Sequence, residues 1–226
     1  MSPARAHRRA GILLYAALQF IVLTAIAMVV YAGGWYADPG AAGYSFSHNF
    51  LSDLGATRAW SGQANHASAV LFAIALATVG FATVAFAGAW RAFAFARGRA
   101  RAAGIAAQVC GTASGLAFAG VAATPMDRAL DLHNLLVLAA FGFLLCYAAS
   151  MTLVMWRNGA SRARLVTSVA YLLVVCAYLG TVLVAVRTGI ATERGLVMMV
   201  LSQKIVAGAS MLYVAYLTVA TRRQLA

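Results

Sequence analysis

Charge is what this chain has least of: only 10% of its 226 residues are Asp, Glu, Lys or Arg. A soluble domain carries roughly 25%, because its whole surface meets water. The shortfall excludes that class, and a hydrophobic content of 63% points to lipid as the surrounding medium. Cysteine is nearly absent as well. Cys110, Cys146 and Cys176 all fall inside apolar stretches. That placement excludes a disulfide framework and leaves them as small, buried packing residues. Long polar stretches are missing too, so no separate soluble domain is expected and residues 1–226 form one membrane domain.

What remains is a set of six apolar runs, at about 11–34, 64–90, 102–123, 133–156, 165–186 and 196–220. About 20 apolar residues cross the hydrocarbon core as a helix, and each run reaches that length with some allowance for tilt. The first run follows Arg5, His7, Arg8 and Arg9 in the manner of a signal peptide. Its apolar part is too long for one, and no A-x-A cleavage site follows, so it reads as a retained helix. The expected fold is all-α, an integral membrane bundle of six transmembrane helices. Tyr15, Trp35, Tyr36, Trp60, Trp90 and Trp156 fall where aromatic belts anchor such helices. Gly104, Gly111, Ser114 and Gly115 give the third helix small residues for close approach.

The net charge of +12 does not call for nucleic acid, because a DNA-binding stripe clusters on a soluble face. Here the arginines punctuate the runs. Arg5, Arg8 and Arg9 precede the first helix, and Arg91, Arg97, Arg99 and Arg101 join the second and third. Arg157, Arg162 and Arg164 join the fourth and fifth, and Arg222 and Arg223 follow the sixth. All of these lie on one side. Lys and Arg accumulate in cytoplasmic loops, so both termini are expected inside, with anionic headgroups as incidental contacts. Sixteen arginines against one lysine, with abundant alanine, resemble the products of GC-rich bacterial genomes and suggest the cytoplasmic membrane.

The five acids, Asp38, Asp53, Asp127, Asp131 and Glu193, all fall on the opposite side, together with His48, His66 and His133. That asymmetry marks the outer rim as the candidate site. If the run Tyr44–Gly55 forms one or two helical turns, His48 and Ser52 share a face, as do Asn49 and Asp53. Phe50 and Leu54 then dip into lipid or protein, and Gly55 stops the turn in the left-handed region. Asn65 and His66 open the second helix. Thr124 reads as an N-cap of the fourth helix, with Pro125 at N1 and Asp127 at N3, and Asp131 can cap the same helix. Asp131 and His133 point about 200° apart on a regular helix, so sharing one site requires Asp131 to precede it. Gln203 and Lys204 lie roughly 10 Å down the sixth helix. An ammonium at that depth is costly unless paired or snorkelling, so Lys204 is expected to face the bundle and pair with Asp53 or Asp131. Asp38 and Glu193 are expected to be solvated.

The elements Ser47-His48-Asn49-Phe50-Leu51-Ser52-Asp53-Leu54-Gly55, Asn65, Thr124-Pro125-Met126-Asp127 with Leu132-His133, and Gln203-Lys204 resemble the prokaryotic membrane family catalogued as domain of unknown function 998. The resemblance covers nearly the whole chain, and its most specific element is Ser52-Asp53-Leu54-Gly55. It implies a six-helix fold and recurring polar residues on one rim, and it implies no reaction.

Three functions are compatible with these residues. In the first, Ser52, Asp53, Asn65, Asp127, Asp131, Gln203 and Lys204 bind a lipid headgroup or a small amphiphilic ligand. In the second, a lipid hydrolase holds zinc on His48, His66, His133 and Asp53, with Asp53 or Asp131 as the candidate catalytic carboxylate. The alkaline ceramidases and adiponectin receptors are similar only in their inventory of Ser, Asp and His, since this chain lacks their seventh helix and its His-x-x-x-His pair. In the third, His66 and His133 are the axial ligands of a haem. Transport would favour an inverted repeat, and none is evident.

Overall fold

A computed structural model of the chain describes residues 3–97, 100–190 and 192–225. It contains six α-helices: α1 Pro3–Val29, α2 His66–Arg97, α3 Arg101–Ala123, α4 Leu130–Arg157, α5 Arg162–Thr188 and α6 Glu193–Leu225. No β-strand occurs among the described residues. Each helix holds a stretch long and apolar enough to cross a membrane. Helices suit that medium because hydrocarbon offers no partner for a backbone N–H or C=O. The chain is an all-α, multi-pass membrane protein. Of the arginines counted above, Arg99 lies outside the described residues, as do the side chains of Arg5, Arg8, Arg9, Arg91, Arg97, Arg222 and Arg223.

Helices α3 to α6 match or outrun their apolar runs, α2 starts two residues late at His66 and runs on to Arg97, and α1 stops at Val29, five residues before the expected position 34. Backbone geometry is the reason. Gly33 and Gly34 have φ of +95° and +80°, a region open to glycine and strained for other residues. A side chain at Gly34 would strike the backbone of Trp60 and Ser61. Ser61 is stitched to this point, its N–H donating to the Gly33 carbonyl and its hydroxyl to that of Ala32. Residues 30–65 therefore fold back over one end of the bundle as a lid, with a short 3-10 turn, Leu51–Gly55, at its centre.

Each helix packs against its neighbours in sequence, and α6 closes onto α1. The result is a ring. The contact between α2 and α3 is the most extensive, because Gly80 and Gly115 let the two backbones meet. A Cβ on either residue would lie against the carbonyl of the other. Gly111 likewise makes room for Ala87 and the Tyr147 ring. Cys110 is half-buried, whereas Cys146 and Cys176 are exposed on the outer surface of the bundle. That corrects the expectation of buried packing for the latter two; a thiol in an apolar span can face lipid as readily as protein.

The connection between α3 and α4 also departs from expectation. Thr124 ends α3 rather than opening α4, and its hydroxyl donates back to the Gly120 carbonyl. Helix α4 starts at Leu130 with no side-chain cap, so Asp131 already lies inside its first turn. Gly55 ends the 3-10 turn without a left-handed residue. Glycine is used there for space, since a Cβ would sit 3.0 Å from the Phe72 ring.

Gly115→Ala should lower the thermal unfolding temperature in detergent, at a cost of about 1–3 kcal/mol from overpacking against α2. Gly142→Ala, where a Cβ meets nothing within 4 Å, should leave it unchanged or slightly raised.

Candidate ligand cavity and its lid

The lid is tied down by amides. Asn49 is fully buried, and both ends of its side chain are used. Its Oδ1 accepts from the Ser45 N–H at 2.8 Å, while Nδ2 donates to the Gly34 carbonyl at 3.0 Å and to Asp53 Oδ2 at 2.9 Å. Asp53 Oδ2 also accepts from the Phe50 N–H at 2.9 Å, which fixes the start of the 3-10 turn. Asn49 and Asp53 thus share a face as their spacing implied. Asn65, 2% exposed, accepts from the Ala32 N–H and donates to the carbonyls of Leu54 and Ala56. It joins the two ends of the lid.

Helix α6 holds the lid from beneath. Gln203 Oε1 accepts from the Leu51 N–H at 2.7 Å. Lys204 Nζ donates to the Asn49 carbonyl at 2.6 Å and lies 5.3 Å from the Tyr44 ring centroid and 5.0 Å from that of Phe46. The expected ion pair of Lys204 with Asp53 or Asp131 does not form. A carbonyl and two aromatic faces receive the ammonium instead, a neutral cage that attracts a cation through its dipole and ring quadrupoles.

Asp53 is 1% exposed. Burial pushes its pKa up from 3.8 to about 6, against the opposing pull of the Asn49 and Phe50 hydrogen bonds and of the nearby Lys204 charge. The Trp60 indole adds to that pull, and Oδ1 has no hydrogen-bond partner among the described residues. Burial also pushes the Tyr31 hydroxyl up to about 12 and the Tyr44 hydroxyl higher still, with the Asp53 charge adding to both.

Asp127 secures the far edge of the lid. Its carboxylate accepts from the Thr57 N–H at 2.9 Å, the Thr57 hydroxyl at 2.6 Å and the Arg58 N–H at 3.1 Å. Partial burial alone would raise its pKa; the bonds from Thr57 and Arg58 outweigh that and hold it below the usual carboxylate range. Thr57 was not singled out in the sequence, and nothing local distinguishes it from any loop threonine.

The three histidines do not converge. His48 packs on Trp35 in a tilted arrangement with ring centroids 4.3 Å apart and meets Glu193 Oε1 at 3.1 Å through Nε2. Glu193, expected to be merely solvated, is therefore a partner of the lid. His66 and Asp131 are exposed. His133 turns inward, 4% exposed, with Nδ1 2.7 Å from the Thr124 carbonyl. Among the described residues, no three His, Cys, Asp or Glu side chains come close enough to share a metal ion. The zinc set His48, His66, His133 and Asp53 is thereby corrected, and so is the His66–His133 haem pair, whose members face opposite ways. His66 is the first residue of α2 and His133 the fourth of α4, so their helix positions differ, and sequence spacing did not settle which way each faces.

The ring of helices instead surrounds a partly open cavity of about 130 Å³, lined by residues of all six helices. Leu51, Ser52 and Gln203 form its ceiling, and Met151, Tyr213 and Leu217 lie near its other end. The wall is apolar and carries no Asp, Glu, Lys or Arg. Two buried polar atoms in lining residues have no partner, His133 Nε2 and the Tyr147 hydroxyl. A carbonyl can only accept, so His133 Nδ1 carries the proton and Nε2 presents a lone pair.

Deeper in the wall, α5 and α6 exchange hydroxyls. Ser168 bonds Tyr213 at 2.8 Å and Tyr171 bonds Ser210 at 2.9 Å, with the two tyrosine rings stacked 4.3 Å apart. Sequence reasoning passed over this pair. The signal was present as Ser-x-x-Tyr in both helices, Ser168 to Tyr171 and Ser210 to Tyr213, a spacing that puts each couple on one face.

The Asp53 carboxyl has a native pKa above its unfolded value, so between pH 3.8 and about 6 the folded state binds more protons. Its contribution to stability is fully present below that window and is lost as pH rises through it. Thermal melts should show wild type losing up to about 3 kcal/mol from this source across the window, at about 1.36 kcal/mol per unit. Asp53→Asn, which keeps the accepting oxygen, should lack that slope; parallel pH profiles would exclude Asp53 as its source.

No protein-family model, curated protein or solved structure matches this chain.

Proposed function

We propose that the protein binds a lipid-like amphiphile inside its helical ring, beneath the lid, in a bacterial cytoplasmic membrane. The observation that carries this reading is the cavity lined by all six helices, apolar except for a few polar groups, two of them without partners. Ligand sites have this character, an apolar wall with a few polar groups that set orientation. Rim residues proposed from sequence take two roles. Asp53, Asn65, Asp127 and Lys204 shape the lid. Ser52 and Gln203 form part of the ceiling over the ligand. Membership of the family named above, on the Ser52-Asp53-Leu54-Gly55 run, belongs to the same proposal.

The orientation belongs to it too: the arginine-bearing end faces the cytoplasm and the lid faces out. In a background without the three natural cysteines, Gln63→Cys should react with a membrane-impermeant maleimide in intact cells. Ser161→Cys should react only after permeabilisation. The reverse pattern would invert the topology.

Protein purified in mild detergent should retain lipid in roughly molar proportion, seen by native mass spectrometry. Ala207→Trp, which fills the cavity from α6, should reduce the retained lipid several-fold while the helical content stays unchanged. Equal retention by the two proteins would place the lipid outside the ring.

A further inference from the structure

We infer that the ligand's head is uncharged and donates a hydrogen bond to Nε2 of His133, as the hydroxyl of a long-chain alcohol does. This rests on the cavity reading above and adds the chemistry of the head. Three observations lead to it.

The first is the tautomer. With Nδ1 committed to the Thr124 carbonyl at 2.7 Å, Nε2 of the neutral imidazole can only accept. A buried acceptor left unpaired costs about 1–3 kcal/mol, and this one, on a lining residue, has no partner among the described residues. A donor on the ligand removes that cost. Ether, ester and keto oxygens cannot.

The second is the absence of countercharge. No Asp, Glu, Lys or Arg lines the cavity. Lys204 faces the lid, where the Asn49 carbonyl and two rings occupy it. A phosphate or carboxylate head would enter a low-dielectric space with nothing to balance it, a placement that costs several kcal/mol per ion. A neutral head avoids the penalty.

The third is length. The other unpartnered lining group, the Tyr147 hydroxyl, lies 147 − 133 = 14 residues farther along α4, roughly 21 Å at 1.5 Å per residue and nearly on the same face. One leaflet of the hydrocarbon core is about 15 Å deep. His133 and Tyr147 both line the cavity, so a chain whose head sits at His133 runs along α4 toward Tyr147.

The test is competition for the cavity of the intact protein in detergent, with a pyrene-labelled alkane as reporter. Three competitors share one chain: hexadecanol, its methyl ether, and hexadecanoate at about pH 8. Hexadecanol should compete about tenfold better than either of the others, the worth of one net hydrogen bond in a dry site. His133→Leu should abolish that advantage, and Tyr147→Phe should preserve it. Should the leucine variant fail to fold, the nitrogen NMR signal of His133 Nε2 in wild type provides the readout, shifting with hexadecanol and not with the ether. Equal competition by alcohol and ether, or tightest binding of hexadecanoate, would overturn the inference while leaving the cavity as a lipid site. Failure of the reporter to bind at all would instead remove the cavity reading on which it stands.

Discussion

The outer end of the molecule depends on one buried amide, that of Asn49. Its side chain joins three parts of the lid, and its own carbonyl receives the ammonium of Lys204 from α6. A buried polar network is favourable only when its members are satisfied, because each unmet group carries its full desolvation penalty. Asn49 meets that condition entirely, and Asp53 meets it at one oxygen of two. The lone lysine of the chain fits the task. An ammonium is compact, sits on a flexible stem and can rotate its donors onto a single carbonyl, whereas a guanidinium needs a planar, forked partner.

Polar atoms therefore divide into two sets with different fates. Those of Asn49, Asn65, Asp127 and Gln203 bond to backbone groups of the lid. They do for an irregular segment what a helix does for itself at membrane depth, where loose backbone is tolerated only if it is bonded within protein. The second set, His133 Nε2 and the Tyr147 hydroxyl in the cavity lining, has no hydrogen-bond partner among the described residues. The rim looked like a binding site in sequence because it gathers the acids and histidines. Most of that polarity is structural, and the two unpartnered groups belong to residues that line the cavity.

The body of the fold was legible because lipid imposes a simple rule: long apolar runs become helices, and all six runs did so. Helix ends were less legible. At α1 the stop is set by Gly33 and Gly34 folding back on Ser61, a contact made through residues nearly thirty positions apart. The Asn49–Asp53 pairing followed from spacing alone, since a turn brings such residues together. That Lys204 is satisfied within the protein also followed, from the cost of burying a charge. Its partner did not, because an acid and a carbonyl are equivalent to a reader who sees no loop geometry. The histidines misled for a related reason. His66 and His133 each lie in the first turn or so of a helix, but rotation about the helix axis, set by packing, left one exposed and the other buried.

Two hydroxyl exchanges between α5 and α6 run in opposite senses, Ser168 to Tyr213 and Tyr171 to Ser210. Sliding one helix along the other by a single residue would lengthen both together, and rotating either would unstack the rings between them. The pair behaves as a riveted panel. Any widening of the ring that admits a molecule sideways from the bilayer has to open a different seam, between α4 and α5 or between α6 and α1.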